Sequence, residues 1–170
     1  MPSLSEFLDR LPPDKVLRIP EPVTLDYHPT ALVLELERQR RFPVVVLERP
    51  VGFDTPVVAN LFADRDRLAR MAGAPPAGFH AAWLRAEADP IPPKVVGSGP
   101  VQEVVLTGDA ADAARLPISR HFQQDAGCYI GSGILVCKDP DTGGRNLSFQ
   151  RLQLKTGSRF GASLHSRGHI

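Results

Sequence analysis

Four consecutive residues, Val44-Val45-Val46-Leu47, constrain what this chain can fold into more than any other stretch. The run is continuous, apolar and mostly β-branched, the pattern of a strand buried on both faces. The residues before it supply one cover. Pro29-Thr30 opens a helix in which Ala31, Leu32, Val33, Leu34 and Leu36 are apolar and Glu35, Glu37, Arg38, Arg40 and Arg41 are charged. Phe42-Pro43 closes that helix. A helix leading into a doubly buried strand predicts an α/β layer.

The flanking sequence builds on that layer. Ser3 and Glu6 stand at capping-box spacing, and Leu4, Phe7, Leu8 and Leu11 share one helical face until Pro12-Pro13 ends the helix. Residues 16–19 and 23–25 read as short extended pieces bounded by prolines. Prolines number 17, about twice the usual share, so short elements joined by rigid turns are expected. Residues 56–61 read as a further strand. Residues 64–71 read as a helix with Leu68, Ala69 and Met71 inward and Asp64, Arg65, Asp66, Arg67 and Arg70 outward, Asp66 pairing with Arg70, and Gly73 ending it. Residues 79–88 form another helix, with Trp83 as a core or groove anchor. Asp89-Pro90-Ile91-Pro92-Pro93-Lys94 suits neither a helix nor a central strand, and it marks a boundary between residues 1–93 and 94–170.

Beyond the boundary, residues 101–106 read as a strand, and Asp109 caps a short helix over 110–116. A polar loop over 121–127 leads to a strand over 129–137. Gly131 and Gly133 inside it predict a bulge or the close approach of another backbone or ligand. Asp139-Pro140-Asp141-Thr142-Gly143-Gly144 is a turn into a second strand over 146–155. The second half therefore begins an antiparallel β layer, and the chain as a whole reads as α/β (α+β).

Composition narrows the function. A net charge of +1 and scattered basic residues without interleaved aromatics argue against a nucleic-acid surface. No apolar run approaches a membrane span, and the N-terminal residues lack the pattern of a signal peptide, which points to the cytoplasm. Cys128 and Cys137 match no zinc or redox spacing and read as reduced core thiols.

Chemistry concentrates at Asn146-Leu147-Ser148-Phe149-Gln150-Arg151. On a regular strand Asn146, Ser148 and Gln150 share one face, and Leu147, Phe149 and Arg151 share the other. Asn146 and Arg151 then serve one site only across a bulge, or at the strand's edge or end. A half-exposed hairpin whose polar groups meet water is the alternative. Near the C-terminus, His165-Ser166-Arg167-Gly168-His169 places two histidines four apart, but Gly168 argues against a helix that would aim both at one metal. Arg167 and Gly168 have the chemistry to hold a phosphate.

An ordered series of motifs carries more than any one of them. Phe7-Leu8, Pro43-Val44-Val45-Val46-Leu47-Glu48, Asn60-Leu61-Phe62 and Pro100-Val101-Gln102-Glu103-Val104-Val105 come first. Leu116-Pro117-Ile118 with His121, Asp125-Ala126-Gly127-Cys128-Tyr129-Ile130 and Lys138-Asp139-Pro140-Asp141-Thr142-Gly143 follow, then Asn146 with Arg151, and Arg167-Gly168-His169. In this order they resemble the N-terminal part of the UbiD family of decarboxylases.

The resemblance implies the beginning of an antiparallel split β-barrel that binds prenylated FMN, with a divalent metal such as manganese at its phosphate and potassium nearby. It implies that Asn146 and His169 ligate the metal. Ser148, Phe149, Gln150, Arg151, Arg167, Gly168 and His169 would contact the cofactor with Asn146, and Arg151 would face the carboxylate of a small-molecule acid. Some family members carry Gln where this chain has Gly168. The family is several times longer, with its acidic catalytic residues beyond the position matched by Ile170. The 170 residues alone are therefore expected to be inactive, and to form a homo-oligomer or meet a completing chain. A small α/β binding module without flavin is the competing reading.

Overall fold

The computed structural model describes residues 3–164. It has a mixed α/β architecture with two three-stranded sheets, ordered β1-β2-β3 and β4-β5-β6.

Helix α1 (Leu4–Asp9) begins at Ser3 with the capping box complete. Strand β1 (Val16–Val23) contains the first expected extended piece and only Val23 of the second, so the chain stays extended through Pro20 and Pro22 and leaves the strand before Thr24. It pairs in parallel with β2 (Val44–Pro50) across the intervening helix α2 (His28–Arg38). The register slips between Ile19 and Pro22, where Pro20 and Pro22 lack the N–H that a ladder requires. Prolines are tolerated because β1 lies at the sheet's edge. Strand β3 (Val57–Ala59) pairs antiparallel on the other side of β2.

The doubly buried strand is β2. Val45 and Leu47 join Leu25 and Leu36 in one core cluster, and Val44 and Val46 join Leu8 in a second. Val44, Val45 and Leu47 are fully shielded from solvent. Burial of side chains this size contributes about 1.5–3 kcal/mol each.

Helix α3 (Arg65–Met71) starts at Asp64, whose carboxylate accepts from the N–H groups of Asp66 and Arg67. Ala69 is buried as expected, but Arg67 is not on the solvent face: it is 3% exposed. Its Nη2 donates to the carbonyls of Phe42 and Asn60, at 2.9 and 3.3 Å. These carbonyls lie where the chain enters β2 and leaves β3, and the guanidinium supplies donors that the sheet does not. Burial lowers the Arg67 pKa, and the Asp64 carboxylate opposes that shift. Asp66 accepts from the Ala77 N–H.

Helix α4 (Phe79–Ala88) has no buried residue. Trp83 is 60% exposed, so it is not a core anchor; its ring meets Phe79 with centroids 5.9 Å apart. The strand expected over 101–106 is also absent. Pro100–Gln102 is a 3-10 turn, and Val101, Val104 and Val105 are exposed. β-branched residues favour a strand only where a neighbouring strand offers hydrogen bonds and packing, and none among the described residues is offered here. The helix expected over 110–116 is replaced by two 3-10 turns, Gly108–Ala110 and Ala113–Arg115. Asp112 rather than Asp109 supplies the side-chain cap, and the Ala113 N–H donates to the Gly157 carbonyl at 2.6 Å instead of entering a helical ladder.

Strands β4 (Tyr129–Lys138), β5 (Arg145–Thr156) and β6 (Arg159–Ala162) form an antiparallel meander. In the β4–β5 turn the Asp139 carboxylate accepts from the Asp141 and Thr142 N–H groups and the Thr142 hydroxyl. Gly143 takes a left-handed φ of 73° there. The two sheets meet through the loop before β4. Asp26 and Arg120 form a parallel bridge, the Tyr27 N–H donates to the Arg120 carbonyl at 2.9 Å, and the Arg120 guanidinium lies 5.5 Å from the Tyr27 ring centroid.

Candidate functional site

The alternation expected of β5 is observed. Asn146, Ser148 and Gln150 are half-buried, and Leu147, Phe149 and Arg151 are exposed on the opposite face. Gln150 Nε2 donates to Ser148 Oγ at 2.7 Å. A bulge does interrupt the pairing, but on β4. Ile130 pairs with Leu152 and Gly133 with Gln150, so Gly131 and Ser132 together oppose Arg151. Because β5 itself stays regular, Asn146 and Arg151 point to opposite faces of the sheet.

Each therefore borders its own cleft. Asn146 lines one of about 530 Å³ at the β4–β5 turn, with Cys137, Asp139 and Arg145. Arg151 lines one of about 560 Å³ with His121, Asp125, Tyr129, Gln153 and Lys155. The alternation that put Arg151 on its face could also have put Gln153 and Lys155 there, since they follow at two-residue steps. The contribution of His121, Asp125 and Tyr129 has no such signal, because it depends on how a loop folds back.

Arg151 also ends an apolar strip. Ile134 pairs with Phe149 and Val136 with Leu147, and all four side chains lie exposed on Arg151's face of the sheet. Phe149 is 72% exposed. An exposed apolar sheet face running into a guanidinium and a polar cleft suits a planar aromatic group with an anionic group beside it. The described residues thus fit a flavin ring.

They do not by themselves make a metal centre. Among the described residues no group of three or more His, Cys, Asp or Glu side chains is placed to hold one. Asn146 offers one neutral oxygen, whereas hard divalent ions take several oxygen ligands. Asp139, in the same cleft, is committed to its turn. The Thr142 hydroxyl, then the Asp141 and Thr142 N–H groups, hold its carboxyl below the ordinary value. His169, Arg167 and Gly168 lie outside the described residues.

Both cysteines are free and half-buried rather than core. Burial pushes the Cys128 thiol's pKa up; Asp26 adds to the shift and Arg120 opposes it. A thiol that stays protonated suits a structural role.

Two sequence matches cover nearly all of the chain. Residues 13–86 match the 3-octaprenyl-4-hydroxybenzoate carboxy-lyase N-terminal domain, and residues 94–170 match the Rift-related domain of the same carboxy-lyase. The chain belongs to the UbiD family.

Solved UbiD-class structures agree. An evolved dimeric form of HmfF from Pelotomaculum thermopropionicum, in complex with prFMN, is 32% identical with a TM-score of 0.86 over 97% of this chain. HmfF from the same organism in complex with FMN gives 32% and 0.80 over 90%. The vanillic acid decarboxylase of Sedimentibacter hydroxybenzoicus in its closed form gives 26% and 0.84 over 96%. This UbiD-family chain spans only part of those proteins: 39%, 34% and 37% of their respective lengths. Among the described residues no helix is long and apolar enough to cross a membrane.

Proposed function

We propose that this chain supplies the N-terminal part of the active site of a prenylated-FMN-dependent decarboxylase, acting on aromatic or α,β-unsaturated carboxylic acids. The observation that carries the reading is the position of Arg151, between the apolar face of β4–β5 and the polar cleft. HmfF structures containing prFMN and FMN support the cofactor. When bound, the prenylated flavin supplies the electron sink that loss of carbon dioxide requires.

The chain's own residues bind and orient. Phe149 and Leu147 offer apolar surface to the flavin, and the β5 backbone from Ser148 to Arg151 lines it. Arg151 fixes the substrate carboxylate through its two-pronged guanidinium, which a point charge cannot reproduce. Asn146 is assigned to a divalent metal together with His169, manganese being the expected ion and potassium a second one. Arg167 and Gly168 are assigned to the cofactor. Residues 1–93 form the α/β support, and 94–170 begin the flavin-binding split barrel. Acidic groups needed for turnover come from polypeptide beyond these residues, so the 170 residues alone are inactive. A second copy or a completing chain shares the assembly, in the cytoplasm.

The test is co-expression of the polypeptide containing these residues with a flavin-prenylating enzyme. Flavin absorbance should co-purify. Arg151→Lys should retain the flavin and lower turnover by about tenfold or more, the worth of a charge-assisted hydrogen bond. Absence of flavin, or normal turnover in Arg151→Lys, would overturn the assignment.

A further inference from the structure

The cleft beside Arg151 has a wall built to be rigid. In the loop before β4, Asp125 Oδ2 accepts from the backbone N–H groups of His121 and Phe122, at 3.2 and 2.9 Å. Arg120 closes the same loop from outside. Its Nη2 donates to the Gln123 and Asp125 carbonyls at 2.9 and 2.8 Å. The Tyr129 N–H returns to the Ser119 carbonyl at 3.0 Å.

His121 extends from this loop in two directions. Nε2 lies 3.2 Å from the Tyr129 carbonyl, and Nδ1 lies 3.2 Å from the Thr30 hydroxyl on α2. A carbonyl only accepts, so Nε2 carries the hydrogen. Nδ1 faces the Thr30 hydroxyl, which can donate to it or accept from it. The imidazole thus links the first sheet's helix to β4 just before the bulge that faces Arg151. A Cβ built on Gly131, within that bulge, would lie 3.9 Å from His121 Nε2. A bulge leaves backbone groups outside the ladder, so it needs outside support to keep one shape.

We propose that His121 is a positioning residue for the acid-binding cleft. Its Nε2–H fixes the Tyr129 carbonyl, and through it the bulge opposite Arg151, while Nδ1 anchors that wall to Thr30. The proposal rests on the reading of the Arg151 cleft as the carboxylate site. It extends that reading to the residue that keeps the guanidinium's neighbours in register.

Two substitutions separate the two nitrogens. Gln reaches about as far as Nε2, and Asn about as far as Nδ1. Amide exchange and benzoate titration followed by NMR, on the chain itself, read both consequences without cofactor or turnover. H121N should speed exchange at 130–133 about tenfold, the worth of one net hydrogen bond, and weaken benzoate binding by a similar factor. H121Q should stay within about twofold of the parent in both. Thr30→Val should speed exchange near the start of α2 and, like H121Q, change 130–133 by no more than about twofold, because the Nε2–H contact that holds Tyr129 remains. Equal behaviour of H121N and H121Q would overturn the positioning role and leave His121 as filler between two layers. Arg151→Ala is the separate control: if benzoate binding survives it, the acid-site reading fails, while the exchange data still decide whether His121 holds β4.

Discussion

The two sheets have the same number of strands and opposite uses of them. In the first, β2 is buried along both faces, and every residue of the two core clusters belongs to the layer around it. In the second, no residue of β4, β5 or β6 reaches full burial, and one face carries an exposed apolar strip. The first sheet is where folding energy is concentrated. The second leaves a row of apolar side chains uncovered among the described residues. Stability and binding are thereby assigned to different parts of one chain, and substitutions should sort accordingly.

The largest effect tests the first half of that contrast. Leu47→Ala, at a fully shielded site, should cost about 2–5 kcal/mol in chemical denaturation, with the lost transfer energy and the residual cavity adding. A cost below that range would mean that the β2 layer is not the chain's stable base. Arg67→Met comes next. It keeps an apolar stem of similar length but deprives the Phe42 and Asn60 carbonyls of their donor, so a loss of about 1–3 kcal/mol is expected by the same measurement.

Smaller effects are expected in the second sheet. Asp139→Ala should loosen the β4–β5 turn, seen as faster amide exchange at Thr142, and leave the denaturation midpoint nearly unchanged. The pH dependence has a definite sign. The folded carboxyl lies below its ordinary value, so its support is complete above the unfolded pKa and is lost as pH falls through the lowered folded one. The smallest effect is Phe149→Ser, which should alter stability by no more than about 0.5 kcal/mol because the ring is already in solvent. A large loss there would erase the distinction between the sheets; loss of flavin with stability intact would sharpen it.

Legibility in the sequence followed the same division. The β2 run and the Ser3–Glu6 cap were readable because their information is local. So was α4, whose bounds match the expected 79–88. What failed was decided at a distance. Arg67 looked like one more charge on a solvated helix face, and only the carbonyls ending β2 and β3 make it an interior residue. Residues 101–106 have a strand's composition without a strand's neighbour. The stretch over 110–116 lost its helix to a hydrogen bond with Gly157, more than 40 residues later. At the site, alternation separated Asn146 from Arg151 correctly, and Gly131 and Gly133 correctly signalled a bulge. That the bulge falls opposite Arg151 is a matter of register, which a single sequence does not print.

The membership of the two core clusters has a consequence for synthesis. All of their residues lie between Leu8 and Leu61. A ribosome that has released little more than the first third of this chain has already delivered every residue of both clusters. The base should therefore fold while β4 to β6 are still unmade, and those strands should then settle onto a finished platform through Tyr27 and Arg120. Ribosome-arrest force measurements should register a pull before Tyr129 emerges; a pull only after β6 would show that the two sheets fold together.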